Sequence, residues 1–402
     1  MSRTTTASRL GRFVPLVVLV YLACRLVTAV VLSVVAERQV PTGWNGDPVP
    51  AHVGYWSFTT QWDGQWYQQI AEQGYPRVLP TDGLGVVQQN AWAFYPLFPL
   101  LARFAMELSG ASFAVAGAVV ATVLGVVAAA ALAVLLRERL GPLAALLTVA
   151  VWACGPATAT LQVAYTESAA MALLALVLLA LSRERWWWAA LLAVLLGLTR
   201  PIAVPLGVVV LVALWVRWRR RDRDPVTRSE ALGGLGALVA CGVAGFLWPA
   251  LAWWVTGRRD AYEQTMGSWR SGHEIVPLRP WLDISRYVAG ETWGPVWLTV
   301  LVVLVLVMTL GPWATRLGPQ LRAWSLAYPG YLFVVLDPFT SVFRYLIPLF
   351  PLCAVLLGVA GPRRHRGWTW ARAVVLVVAG VVAQWYWVDV LWRFVPPTDY
   401  PP

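Results

Sequence analysis

The chain contains no lysine; all 31 of its basic residues are arginine. With no lysine there is no G-x-x-x-x-G-K-[ST] loop, so an ATPase-type phosphate site is excluded. Charge is scarce: 13% of the 402 residues are Asp, Glu, Lys or Arg, against 59% hydrophobic. A soluble domain of this length carries about a quarter charged residues, and this chain cannot hide so much apolar surface in one water-facing globule. Cysteine is rare too. Cys24, Cys154, Cys241 and Cys353 each lie inside an apolar run, with no C-x-x-C or Cys/His spacing. They read as small buried hydrophobes, not as a disulfide framework or a metal site. The sequence also lacks internal repeats of fixed period, low-complexity tracts and a soluble-domain boundary, so residues 1–402 form one membrane domain.

What fills the chain is a series of apolar runs near the ~20-residue length that crosses a bilayer. They cover 13–36, 112–136, 143–162, 168–182, 186–199, 201–216, 232–256, 293–313, 323–336, 344–360 and 369–390. The reading is an all-α polytopic membrane protein with about eleven transmembrane helices. The first run is too long for a signal peptide, whose apolar core is about 7–15 residues, so it is an uncleaved span. The pair 186–199 and 201–216 is short and interrupted by "GLTRPIAVP", consistent with a broken or re-entrant hairpin. Segment 90–108, with its prolines and Arg103, reads as interfacial or partly inserted.

The net charge of +11 follows topology and not nucleic acid. With the N-terminus in the cytoplasm, arginine concentrates in the cytoplasmic loops at 137–141, 182–186 and 217–228, around Arg316 and Arg322, and at 363–366. Most acids fall on the other side. Two long outer loops result, about 37–110 and 257–292. The expected location is a plasma membrane, with the functional residues on the extracytoplasmic side. Many of the 25 tryptophans lie near span ends, as interface anchors do.

In the first outer loop "YWSFTTQWDGQWYQQIAEQGYP" (55–76) breaks the oily pattern. Trp62, Trp66 and Ile70 recur every four residues, Tyr67 and Ala71 widen the stripe, and Gln65, Gln68, Gln69 and Glu72 take the other face. That is a short amphipathic helix lying on the outer surface, closed by Gly74 and Pro76. Asp63 sits in its first turn, where it serves either as a dipole partner or as an acid displayed beside aromatics that suit a sugar or lipid headgroup.

"QWDGQWYQQIAEQGYP" resembles the first-loop signature of PIG-V-like mannosyltransferases, a branch of the GT-C glycosyltransferases. The likeness continues in "AFYPLFPLLAR" (93–103), "YTES" (165–168), "LTRP" (198–201) and "FRYLIPLFPL" (343–352), in the family's order. One departure is Trp66, near where eukaryotic relatives often carry His. The resemblance implies a GT-C bundle and a polyprenyl-phosphate-mannose donor. It also implies Asp63 as the general base for an acceptor hydroxyl on a glycolipid, glycan or protein, with inversion at the anomeric carbon and no resident cofactor or metal. Arg344 and Arg200 fall at outer span ends against the charge bias; they are candidates for the donor phosphate, or for a structural pair with Glu167 or Asp337. Glu167 either opens its span as a first-turn acid or orients Arg200 and the acceptor. Trp62, Trp66, Tyr67 and His273 complete the expected substrate contacts. The rival function is a lipid or glycan flippase or transporter, which puts ionisable residues at mid-span; Arg25, deep in the first run, is the residue that favours it. A non-catalytic assembly subunit is the third possibility.

Overall fold

The computed structural model describes residues 3–44, 47–270, 276–362, 366–394 and 401–402. The fold is an all-α membrane bundle, and most of each apolar run of the sequence is helical. Helix α1 (Arg3–Ala36) leads into the segment that loop charge assigns as the first outer loop, which holds a pair of three-residue strands, β1 (Thr42–Trp44) with β2 (Asp47–Val49), and helices α2 (Tyr55–Phe58), α3 (Asp63–Gln73) and α4 (Leu97–Ser109). The bundle continues with α5 (Phe113–Leu140), α6 (Pro142–Ala153), α7 (Glu167–Ser182), α8 (Trp186–Gly197), α9 (Leu206–Trp218) and α10 (Arg228–Thr256). Then follow the outer helix α11 (Ala261–Trp269), α12 (Arg279–Leu310), α13 (Gly318–Val335), the short α14 (Val342–Tyr345) and α15 (Phe350–Leu356), and α16 (Arg366–Trp387), which ends in a π-helical turn, Val388–Trp392.

Among the described residues five helices are long and apolar enough to cross a bilayer: Gly11–Ala36, Phe113–Leu140, Arg228–Thr256, Arg279–Leu310 and Gly367–Trp392. The apolar helices α6 to α9 run only 12 to 16 residues. At 1.5 Å per residue they reach about 18–24 Å, short of the ~30 Å hydrocarbon core.

The arginine-rich loops meet at one end of the bundle. Arg183 pairs with Glu138, Arg217 with Glu184 and Glu230, and Arg220 with Glu184. Arg139 donates to Gln320, and the Arg316 amide to Ala360. Because α6 to α9 start or finish at that end and are short, their opposite ends stop inside the bundle. The floor of the outer half is therefore recessed.

Two expectations need correction. The run 143–162 is not one helix: α6 stops at Ala153, and a 3-10 turn, Pro156–Leu161, carries the chain on. A run of small and apolar residues gives the same hydropathy whether coiled or helical, so only packing reveals the break. The run 344–360 is not one helix either: α14, a 3-10 turn at Ile347–Leu349 and α15 divide it, and α15 stops at Leu356. Arg25 is the charge set deep in the first run. It is buried, donates to the carbonyls of Ala153 and Thr158, and lies over the Tyr21 ring. It thereby satisfies the carbonyls left free where α6 ends, as any broken helix at membrane depth requires.

Small residues set the helix separations. A Cβ on Gly197 would lie 2.5 Å from Ala244 Cβ, so α8 and α10 touch through glycine and alanine. Segment 90–108 forms a 3-10 turn followed by α4, whose Leu100, Phe104 and Leu108 point outward, in keeping with an interfacial helix.

Candidate active site

The amphipathic pattern at 61–73 folds as read. Helix α3 starts at Asp63, ends at Gln73, and buries Tyr67, Ile70 and Ala71 against α4 and α5. It is moored from below: Thr59 O accepts the amide of Ala164, and the Tyr55 hydroxyl accepts from Gln162. Tyr165 is fully buried behind it. Its hydroxyl accepts the Asp63 amide at 2.9 Å and donates to Gln61 O at 3.3 Å. The irregular stretch between α6 and α7 thus holds the start of α3.

The Asp63 carboxylate turns toward the bundle. Its Oδ2 lies 2.8 Å from Arg344 Nη1, and the same nitrogen lies 3.2 Å from Glu167 Oε1. Glu167 Oε1 also accepts from Arg200 Nη2. Four residues predicted from separate motifs therefore form one alternating chain, Asp63–Arg344–Glu167–Arg200. Glu167 is 3% and Arg344 6% exposed at the side chain, while Asp63 keeps 19%. The carboxylate is thus the most open member of the Asp63–Arg344–Glu167 set. Glu167 opens α7, where the helix dipole favours a carboxylate. Arg200 lies over the Tyr345 ring and Arg344 over Tyr165. These stacking contacts suit guanidinium and not ammonium.

Asp63 and Arg344 both line a cavity of about 1290 Å³ between the first outer segment, α11, the outer arm of α12 and the α13–α14 connection. Phe94, Tyr95, Tyr262, Trp269, Arg270 and Asp337 also line it. Burial lifts the phenols of Tyr95 and Tyr262 above their ordinary range, so both stay neutral donors. Trp66 stacks on Phe94 with centroids 5.7 Å apart and meets Trp269 edge-on at 5.5 Å. The indole N–H groups of Trp66 and Trp269 are buried and have no hydrogen-bond partner among the described residues.

Among the expected substrate contacts, Trp66 is not part of the lining and packs on the lining residues Phe94 and Trp269, while Tyr67 packs against Phe94 and Phe98. Trp62 faces elsewhere: it is 3% exposed and packs on Phe394. His273 lies outside the described residues. Sequence reasoning missed the C-terminal contribution. Trp392 and Phe394 are fully buried against the first outer segment, a contact across about 330 residues that no local pattern announces.

No known protein family matches the chain, and no curated protein matches it. Among solved structures it is similar to the crystal structure of ArnT from Cupriavidus metallidurans bound to undecaprenyl phosphate. The identity is 16% and the TM-score 0.51, over 88% of this chain and 62% of that one. The chain spans about three-fifths of the length of that protein. At this identity the likeness is one of fold, and it agrees with the all-α polytopic membrane architecture expected from the sequence.

Proposed function

We propose that this protein is a membrane glycosyltransferase that moves a mannosyl residue from a polyprenyl-phosphate-mannose donor to an acceptor hydroxyl of a glycolipid, glycan or protein. The observation that carries the reading is the contact between Asp63 and Arg344 in the wall of one large recessed cavity. The reaction needs a base for the attacking hydroxyl and positive charge for a departing phosphate within one site, on opposite sides of the anomeric carbon. The fold's likeness to a protein bound to undecaprenyl phosphate supports a lipid phosphate as the carrier. The sugar identity rests on the motif resemblance.

In this mechanism Asp63 accepts the proton of the acceptor hydroxyl as its oxygen attacks the anomeric carbon. The bond to the phosphate oxygen breaks on the opposite side, so configuration inverts. The leaving polyprenyl phosphate carries its own negative charge and needs no general acid, unlike the paired carboxylates of glycosidases. Arg344 receives it. Its Nη1 holds the two carboxylates, while its Nε is buried and has no hydrogen-bond partner among the described residues. Arg200 adds a second cation one carboxylate away. With guanidinium groups opposite the phosphate, transfer proceeds without a divalent metal. Phe94 and Trp269, with Trp66 packed on both, contact the acceptor. Positive-inside asymmetry puts the arginine-rich end in the cytoplasm and the cavity on the outer face of a plasma membrane.

The test is transfer from labelled polyprenyl-phosphate-mannose in membranes containing wild type or Asp63→Asn. We expect the variant to accumulate normally and to lose at least ~100-fold in kcat. Equal turnover by the two proteins removes Asp63 as base, and no transfer by the wild type removes the donor assignment.

A further inference from the structure

The residue before the reactive acid has a backbone that its side chain disfavours. Trp62 has φ 58° and ψ −123°. Those are the angles of the first central residue of a type II′ turn, about +60° and −120°, a place dominated by glycine. The turn is closed: Gly64 N–H donates to Gln61 O at 3.1 Å. The sequence does contain a glycine in this turn, but at 64, where the conformation does not demand it. At 62 stands the largest side chain available, with a Cβ that crowds the neighbouring peptide. A bulky residue persists at such an angle only when its surroundings over-determine it.

The surroundings do so from the far end of the chain. Trp62 Nε1 donates to Trp392 O at 2.7 Å, and the Trp62 ring lies 4.3 Å from that of Phe394. Trp392 Nε1 donates back to Phe58 O at 2.9 Å, and its ring packs on Tyr165 at 4.9 Å. Tyr165 in turn holds the Asp63 amide. The acceptor carbonyl of Trp392 belongs to the π-helical turn that ends α16, and such turns concentrate at functional sites. Residues 58, 62, 165, 392 and 394 are all buried and form a closed clamp behind the carboxylate.

We infer that Trp62 is a positioning residue, not a substrate contact: held by the C-terminal Trp392–Phe394 clamp, it forces the II′ turn that aims Asp63 into the cavity. The inference rests on the proposed role of Asp63. It differs from the usual aromatic-beside-acid reading because the indole never reaches the cavity. If the turn relaxed to negative φ, the peptide between Gln61 and Trp62 would rotate. Asp63 would then lose its amide bond to Tyr165 and its alignment with Arg344.

The experiment compares Trp62→Ala with Trp62→Gly in the labelled transfer assay, with melting of the purified protein measured alongside. Both variants remove the indole and leave the same void, so packing loss is common to both. Only glycine adopts the turn without strain. The expected result is a kcat about tenfold higher for Gly than for Ala, with donor KM within about threefold between them. A Gly variant no faster than the Ala variant overturns the inference. Trp62→Phe keeps the ring and drops the N–H, so it accumulates even if the smaller variants do not. Its kcat should fall about fivefold at near-constant donor KM, and full activity there also overturns the clamp. Asp63→Asn runs in parallel. If it transfers like wild type, the role of Asp63 and this inference fall together. If it is inactive while the Ala and Gly variants match each other, only the positioning role fails.

Discussion

Glu167→Gln tests the ion chain most directly. Glu167 is 3% exposed and touches both guanidinium groups through one oxygen. With Asp63 the four residues sum to zero charge; the amide leaves them at +1 inside the bundle. A charge pair at ~4 Å is worth about 4 kcal/mol at an effective dielectric of 20. Against that, the amide no longer carries the desolvation cost of a buried carboxylate, and its oxygen still accepts a hydrogen bond. Removing one partner from a buried set costs about 3–5 kcal/mol in measured cases, so a net loss near the lower end, about 3 kcal/mol, is expected here. With an unfolding entropy of about 2.1 cal/mol/K per residue over 402 residues, that loss lowers the melting midpoint by roughly 4 °C. The assay is thermal unfolding in detergent, with Glu107→Gln as control. The Arg103–Glu107 pair is 49% and 62% exposed, and neutralising it should move nothing measurable. Activity supplies a second readout. Without Glu167, Arg344 leans on Asp63 alone and makes it a poorer base, so kcat should fall while donor KM changes less. A Glu167→Gln midpoint within about 1 °C of wild type and of Glu107→Gln would show that Glu167 does not hold the arginines, because the loss computed above is several times larger.

Tyr165→Phe removes the hydroxyl that holds the Asp63 amide and Gln61 O. Stability should fall by only about 1 kcal/mol, while kcat drops about tenfold from the looser carboxylate; a kcat equal to wild type contradicts the mooring of α3 by Tyr165. Gly197→Ala drives a methyl to within 2.5 Å of Ala244 Cβ and 2.8 Å of its backbone. Overpacking α8 against α10 should cost about 2 kcal/mol, seen as a lower melting midpoint, whereas an unchanged midpoint means the two helices part easily.

Much of this architecture was legible because its signals are local and periodic. The eleven apolar runs needed only hydropathy. Helix α3 followed from the apolar stripe through Tyr67, Ile70 and Ala71 with Gly74 as its stop, although Trp62, read as part of that stripe, lies outside the helix. The convergence of the basic loops followed from their arginines, and Asp63, Glu167, Arg200 and Arg344 stood out because charge in such a chain is costly without a partner. What stayed hidden was which partner each would take. Nothing in "QWDG" says that its acid meets an arginine 281 residues away, or that Trp62 turns inward onto Trp392 and Phe394. The orientation of Trp62 is set by one positive φ, and a helical wheel assumes negative φ throughout. The break after Ala153 was invisible for a related reason. Its carbonyls are satisfied by Arg25, a residue of another helix, and hydropathy averages over that exchange.

The interruptions themselves explain how charge gathers at this depth. Glu167 follows the unwound stretch 154–166, Arg200 follows the end of α8 just before Pro201, and Arg344 lies in a four-residue turn after α13 ends near Pro338. Each break frees backbone groups that a membrane protein must satisfy internally, and each lets a side chain project along the bundle axis instead of sideways into lipid. A continuous helix of ~20 residues would carry the same side chain to the outer surface. Stopping α6 to α9 early, at 12 to 16 residues, leaves room for a recess with Asp63 and Arg344 on its wall. The quartet is neutral as it stands, two guanidinium groups against two carboxylates. An anionic lipid phosphate entering the recess would therefore find guanidinium N–H groups already held in place by carboxylates. Little reorganisation is then needed as negative charge builds on the leaving oxygen, which is the condition under which fixed charges lower a barrier most.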